Sequence, residues 1–225
     1  MDSAFASVNS QLVLQIVEAA AVVASAIAGM IVASNKGMDL VGAFALACLN
    51  AFGGGTLRDL LLDNRPFYWM SHWWFFLAIL AICVPFVYSR QVFAIANEMH
   101  RRSVKMDAVG LALFTVVGTG IALAHEAPPV VAILMGVIAG TTGGVVRDVV
   151  VNEVPDLFRP GGLYATASLA GAIAFVVGIA TGVLAYANAA ILGIAVTLGL
   201  RLLSIRLGVA MPPPHWAARP KHPQP

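Results

Sequence analysis

Twice in this sequence an arginine and an aspartate stand side by side behind a pair of glycines, inside an otherwise apolar run. The first copy is Gly54-Gly55-Thr56-Leu57-Arg58-Asp59 and the second is Gly143-Gly144-Val145-Val146-Arg147-Asp148. An ionised side chain in a hydrocarbon setting needs a counter-charge or water. Adjacent residues on a helix do not face each other, so Arg58 with Asp59, and Arg147 with Asp148, are poor partners. Glu18 and Asp107 are better ones, because alternating spans place Glu18 level with Arg58 and Asp107 level with Arg147. Two ion pairs, Glu18–Arg58 and Asp107–Arg147, are therefore expected near the two mouths of a membrane path. Arg58–Asp148 is disfavoured, since the two motifs lie toward opposite faces. The competing expectation is that both arginines snorkel to headgroups.

The glycines raise a second possibility. Gly53-Gly54-Gly55 and Gly140-Thr141-Thr142-Gly143-Gly144 each fall within an apolar span. Each glycine weakens a helix by about 1 kcal/mol relative to alanine. Broken helices at matching positions of two repeats mark a binding site or pore, because irregular backbone at membrane depth survives only in protein or beside water. The expectation is two helices opened at the glycine tracts, with freed carbonyls on a cation path. Asn50, Thr56, Thr141 and Thr142 stand near enough to add side-chain oxygens. The plainer alternatives are close helix packing through small residues and threonines that bond their own backbone.

Little else in the chain carries chemistry. There is no Ser/His/Asp set, zinc spacing or phosphate loop. His72, His100, His125, His215 and His222 fall in loops or at span ends, and Cys48 and Cys83 inside spans read as packing residues. Neither an enzyme nor a resident cofactor or metal is expected. A transported cation and bound lipid are the small partners the reading admits.

The elements that must position these residues are membrane helices. The chain has 225 residues, of which 60% are hydrophobic and only 11% charged. A soluble domain carries about 25% charged residues. Its net charge of +2 gives no reason to expect a nucleic-acid partner. Apolar runs of spanning length are read at 13–33, 40–62, 73–88, 107–124, 130–151, 163–183 and 188–206. Tyr68, Trp69, His72, Trp73 and Trp74 mark the entry of the third span at headgroup level, and Pro85 kinks or ends it. Met1 to Gln11 holds no Lys or Arg, so the first run reads as a retained helix rather than a signal peptide.

An internal repeat organises these spans. At an offset of 89 residues the two glycine-arginine motifs superpose, Gly29 falls on Gly118, Glu18 on Asp107 and Pro66 on Pro155. Each copy holds three spans. An odd number means that the second copy enters from the opposite side, and transport paths form between such inverted repeats. The fold class is an all-α membrane protein of seven transmembrane helices, two inverted three-helix repeats plus a seventh helix. The segments are an external terminus (1–12), repeat one (13–88), a cytoplasmic loop (89–106), repeat two (107–183), the seventh span (184–206) and a disordered cytoplasmic tail (207–225). Orientation follows from loop charge. Lys36, Arg90, Arg101, Arg102, Lys105, Arg159, Arg206, Arg219 and Lys221 fall on one set of loops, and Arg65 stands nearly alone on the other. This places the N-terminus outside and the C-terminus in the cytoplasm.

Lys36-Gly37-Met38-Asp39, the tract Gly53 to Leu62 with Pro66, Asp107 to Phe114, and Gly143 to Asp148 with Pro155 resemble the prokaryotic relatives of the trimeric intracellular cation channels. The resemblance covers residues 13–205. It implies homotrimers in a prokaryotic plasma (inner) membrane, with a separate pore in each subunit passing monovalent cations, mainly potassium. It also implies kinks in the second and fifth helices at Gly53 to Gly55 and at Gly143 to Gly144. Thr142 departs from a full glycine triplet. Relatives are also described as glycine transporters, so two functions stay open: a passive potassium-permeable channel, and a secondary transporter of a small amino acid. A lipid scaffold without a pathway is the third, and the duplicated motif argues against it.

Overall fold

The computed structural model describes residues 8–89, 100–159 and 162–208. The outer parts of both termini and most of the loop at 89–106, with Arg90, Arg219 and Lys221, lie outside the described residues, as do the side chains of Arg101 and Arg102. All regular structure described is helical: α1 (Val8–Asn35), α2 (Leu40–Leu61), α3 (Tyr68–Ser71), α4 (Trp74–Tyr88), α5 (His100–Ala124), α6 (Pro129–Val150), α7 (Ala165–Ala180) and α8 (Tyr186–Leu207). Five stretches are long and apolar enough to cross a membrane: Gln11–Asn35, Leu40–Leu61, Val104–Ala124, Pro129–Val150 and Tyr186–Leu207. The apolar helices α4 and α7 have 15 and 16 residues. At 1.5 Å per residue, 16 residues reach about 24 Å, short of a hydrocarbon core of about 30 Å.

Most expected spans reappear within a few residues, and one expected boundary moves. The break before α8 lies at Thr181 to Ala185 rather than at Ala185 to Asn188, because Gly182 turns the chain at φ +67°. Pro85 sits in the last turn of α4, which ends at Tyr88, the expected end of that span.

The repeat is written into the backbone as well as the sequence. Asp39 caps α2 through Oδ1, which accepts from Gly42 N at 2.8 Å, and α6 opens on proline. Both helices end in the same turn: Asn64 N donates to Asp59 O and Glu153 N to Asp148 O, each at 2.8 Å. Asp63 (φ 50°) and its counterpart Asn152 (φ 57°) take the left-handed conformation that these residue types tolerate.

Helix α1 packs on α2 and α5, α5 on α6, and α2 on α6; α4 flanks α2, α7 flanks α6, and α8 lies on α7 and α5. Equivalent helices meet antiparallel. A Cβ at Gly110 would strike Ser25 and one at Gly120 would approach Leu14, so α5 runs against α1. A Cβ at Gly54 would land on the Ala139 carbonyl oxygen, and one at Gly143 on the Asn50 carbonyl oxygen. Under the offset of 89, Gly54 maps to Gly143 and Asn50 to Ala139, so one contact is made twice.

This corrects the expected opening of both helices. Helical structure runs unbroken through Gly53 to Gly55 and through Gly140 to Gly144. The missing side chains serve backbone-to-backbone approach, the role small residues take between membrane helices. A helix keeps its own hydrogen bonds and gains close packing, whereas opening it would strand polar groups. Gly54→Ala and Gly143→Ala should each therefore cost about 1–3 kcal/mol by overpacking. Gly53→Ala, whose Cβ would meet Gly143 Cα at 3.6 Å, should be close to neutral. Thermal unfolding of the three variants in one detergent measures the ranking.

Candidate functional site: two buried ionic triads

The first arginine motif sits in the last two turns of α2 and faces α1. Arg58 has no exposed surface. Its Nη2 donates to Glu18 Oε1 at 2.9 Å, and its Nε donates to Asp59 Oδ1 at 2.8 Å. The second motif repeats this at the end of α6 against α5. Arg147 Nη1 donates to Asp107 Oδ1 at 2.6 Å and Nε to Asp148 Oδ1 at 2.8 Å. Both expected pairs, Glu18–Arg58 and Asp107–Arg147, are thus made, and neither arginine snorkels.

The expectation that the adjacent aspartates are poor partners is corrected. The arginine side chain is long enough to fold back along its helix, so its Nε reaches the next residue while the guanidinium tip reaches the neighbouring helix. Each aspartate also holds the following turn. Asp59 Oδ1 accepts from Asn64 Nδ2 at 3.2 Å and Oδ2 from Tyr68 N at 3.3 Å. Asp148 Oδ2 accepts from Asp156 N at 3.4 Å. Each cluster is therefore a triad of two carboxylates and one guanidinium. Within them Arg58 Nη1 and Asp107 Oδ2 are buried without a protein partner.

The glycines divide their work. Gly55 and Gly144 are equivalent and flank the triads: a Cβ at Gly55 would stand 3.9 Å from Glu18 Oε1, and one at Gly144 3.5 Å from Asp107 Oδ1. Gly54 and Gly143 hold the crossing, Gly53 touches Gly143 across it, and Gly140 lies against Thr115 and Leu111. The polar residues are mostly engaged locally. Thr141 and Thr142 donate to Val137 O and Ile138 O at 2.8 and 2.6 Å. Asn50 Nδ2 donates to Ser25 O at 2.6 Å and ties α2 to α1.

Each triad is covered by a different device. Over the first, Trp69 of α3 donates from Nε1 to Thr56 Oγ1 at 3.0 Å, and Tyr68 stacks on His72 with ring centres 4.4 Å apart. A cavity of about 10 Å³ remains between Glu18, Gly55, Thr56, Asp59, Tyr68 and Trp69, room for about one water. Tyr68 and Trp69 thus turn inward; only Trp73 and Trp74 take exposed positions of the kind expected for the group. Over the second, buried Tyr164 places its hydroxyl beside Gly144. The Arg201 guanidinium lies 4.7 Å above the Tyr164 ring, and Arg201 Nη2 donates to Asp156 Oδ2 at 2.7 Å. Tyr164, Asp156 and Arg201 were missed in sequence. The one available signal was a basic residue, Arg201, deep in the seventh span, and no counterpart in repeat one pointed to it.

At the end of the molecule bearing Tyr164, the repeats are joined on the surface. Lys36 Nζ pairs with Glu153 Oε1 at 2.7 Å, and Arg159 Nη2 with Glu153 Oε2 at 3.1 Å. The hydrogen bond and charge of Lys36, aided by Arg159, hold the Glu153 carboxyl below its ordinary value. A carboxylate with a lowered folded value stabilises the fold above its unfolded pKa and loses that contribution as pH falls through the folded one.

Two measurements follow. Glu18→Gln and Asp59→Asn share one guanidinium, so their effects on unfolding should be non-additive, with a coupling of about 0.5–3 kcal/mol in a double-mutant cycle. Arg58→Gln, which strands both carboxylates, should cost about 3–5 kcal/mol. In Lys36→Gln, carbon-detected titration of Glu153 should shift its midpoint upward toward that of a free glutamate; an unchanged midpoint would disprove the bridge.

A family model described as glycine transporter matches this chain twice, over residues 15–91 and 104–180. The second match begins and ends 89 residues after the first. The UPF0126 inner membrane protein YadS of Escherichia coli (strain K12) is 36% identical over 191 residues, covering 83% of this chain and 89% of that protein. Among solved structures, the TRIC trimeric intracellular cation channel orthologue from Rhodobacter sphaeroides is 35% identical, with a TM-score of 0.79 over 88% of this chain and 99% of that one. A prokaryotic TRIC channel in 0.5 M KCl is 28% identical, with a TM-score of 0.79 over 88% and 98%. A duplicated family match, and a fold shared over nearly all of the described helices, place this chain in the prokaryotic TRIC (trimeric intracellular cation) channel family, together with the UPF0126 membrane proteins.

Proposed function

We propose that this chain is a monovalent cation channel, permeable to potassium, with one pore per protomer between two inverted three-helix repeats. Repeat one spans 13–88 and repeat two 107–183, with 184–206 as an added seventh helix. The assembly is a homotrimer in the lipid of the inner membrane, with the N-terminus outside and the C-terminus in the cytoplasm. Structural relatives described as TRIC cation channels support the class. Lys36, Lys105, Arg159 and Arg206 against Arg65 support the orientation.

The observation that carries the cation reading is the charge of the two triads. Each sets two carboxylates against one guanidinium, so each carries one net negative charge when all groups are ionised. Low-dielectric walls focus such a field and concentrate the opposite ion. The arginines are thereby no barrier to cations; they hold the carboxylates together. Between the triads, the contacts of Gly54 with Ala139 and of Gly143 with Asn50 seal the crossing of α2 and α6. Conduction then requires these helices to part, and Gly53 to Gly55 and Gly140 to Gly144 are where they can bend.

The second reading is a carrier of a small amino acid such as glycine. The description of the matching family model favours it, and a sealed midplane between two covered sites suits alternating access. Planar-bilayer recording separates the two. A channel gives unitary currents that reverse toward the potassium equilibrium potential in a potassium chloride gradient. Glu18→Gln with Asp107→Asn should lower cation-over-chloride selectivity and reduce low-salt current several-fold. Saturable, counterflowing glycine uptake without unitary currents would establish the carrier instead.

A further inference from the structure

The two repeats differ in one piece of packing. In repeat two, α8 fills the groove between α5 and α7. Phe175 meets Tyr186 edge-on with ring centres 5.4 Å apart. Leu184 and Ala189 close over Gly178, and the Tyr186 hydroxyl lies against Gly120. Leu123, Phe175, Ala189 and Ala190 share one apolar cluster there. The repeat-one counterparts of Leu123, Phe175 and Val176 are Ser34, Phe86 and Val87. Among the described helices, none takes the place of α8 on them. A cavity of about 170 Å³ stands in that position, lined by Met30, Ser34, Met38, Cys83, Phe86 and Val87.

We propose that this cavity binds the end of one phospholipid acyl chain, which does for repeat one what Tyr186 and Leu184 do for repeat two. The lining side chains are apolar apart from the Ser34 hydroxyl, with the turn at Gly37 forming one wall, and an apolar cavity of about 150 Å³ accepts a six-carbon ring. This one therefore accepts about six carbons of a chain. A neighbouring subunit's helix, about 10 Å across, is too thick for it. Met30 and Met38 are unbranched and polarizable and adapt to a flexible tail. The site lies between α1 and α2, both long and apolar enough to cross a membrane, and the shorter apolar helix α4, and in a bilayer acyl chains are the apolar ligand in supply. The inference concerns the tail alone, since the nearby Lys36 is already paired with Glu153. It does not depend on whether the protein is a channel or a carrier.

The test uses the full chain reconstituted in nanodiscs of phosphatidylglycerol carrying dibrominated acyl chains. Wild type should show bromine density between Met30, Cys83 and Phe86. In native mass spectrometry after mild detergent exchange, it should retain one more phospholipid per protomer than Ser34→Phe, whose ring fills the cavity. Ser34→Thr should retain it as wild type does. Equal retention in wild type and a folded Ser34→Phe would overturn the proposal. So would bromine density elsewhere along the belt but absent from the cavity. Should Ser34→Phe fail to fold, Cys83→Leu replaces it, and the wild-type density decides the matter alone.

Discussion

An arginine inside a bilayer cannot be left to itself, and the rest of this fold is arranged around that constraint. A buried ion pair is costly to desolvate and more costly to break, so whatever holds Arg58 and Arg147 must be fixed in place. Each arginine is held from two directions, by the aspartate that follows it and by an acid 40 residues earlier in the chain. The first contact fixes the side chain along its own helix. The second fixes the register of α1 on α2 and of α5 on α6. The same aspartates then tie down the turns after α2 and α6. One electrostatic requirement thus sets a helix pair, a helix end and a loop, twice.

The second organising contact is the crossing of α2 and α6, and it depends on the absence of side chains. Gly54 lies on Ala139 and Gly143 on Asn50, two copies of one contact. Because the packed surfaces are backbone, no side chain can rotate aside to open a gap. Separation there must come from movement of the helices themselves. The triads at the two ends give that movement fixed points.

Much of this arrangement was legible in sequence, for a physical reason. Charge in an apolar run is rare enough that each instance demands a partner, and the repeat supplied the depth at which to look. Glu18 with Arg58 and Asp107 with Arg147 could therefore be paired before any coordinates. The glycines could not be read as safely. A glycine run weakens a helix and also allows close approach, and only the position of the neighbouring backbone decides between these outcomes. The inward turn of Tyr68 and Trp69 was hidden too, since their role depends on a four-residue helix, α3, too short to leave a periodic signal. Thr141 and Thr142, candidates for a polar path, satisfy their own helix instead.

The duplication is also incomplete in a way that separates the two ends. The first triad lies under an aromatic cover, held by a neutral hydrogen bond from Trp69 to Thr56. The second lies under Tyr164, clamped by Arg201 of α8 and, through it, by Asp156. A neutral latch responds mainly to packing, whereas an ionic one responds also to salt and to nearby charge. If both covers were alike, the same change in conditions would act on both ends together. Because α8 packs chiefly on α7 and α5, with only a small contact to α1, the cover over the second triad carries an ionic element drawn from outside the repeat, and the two covers respond to different changes in conditions.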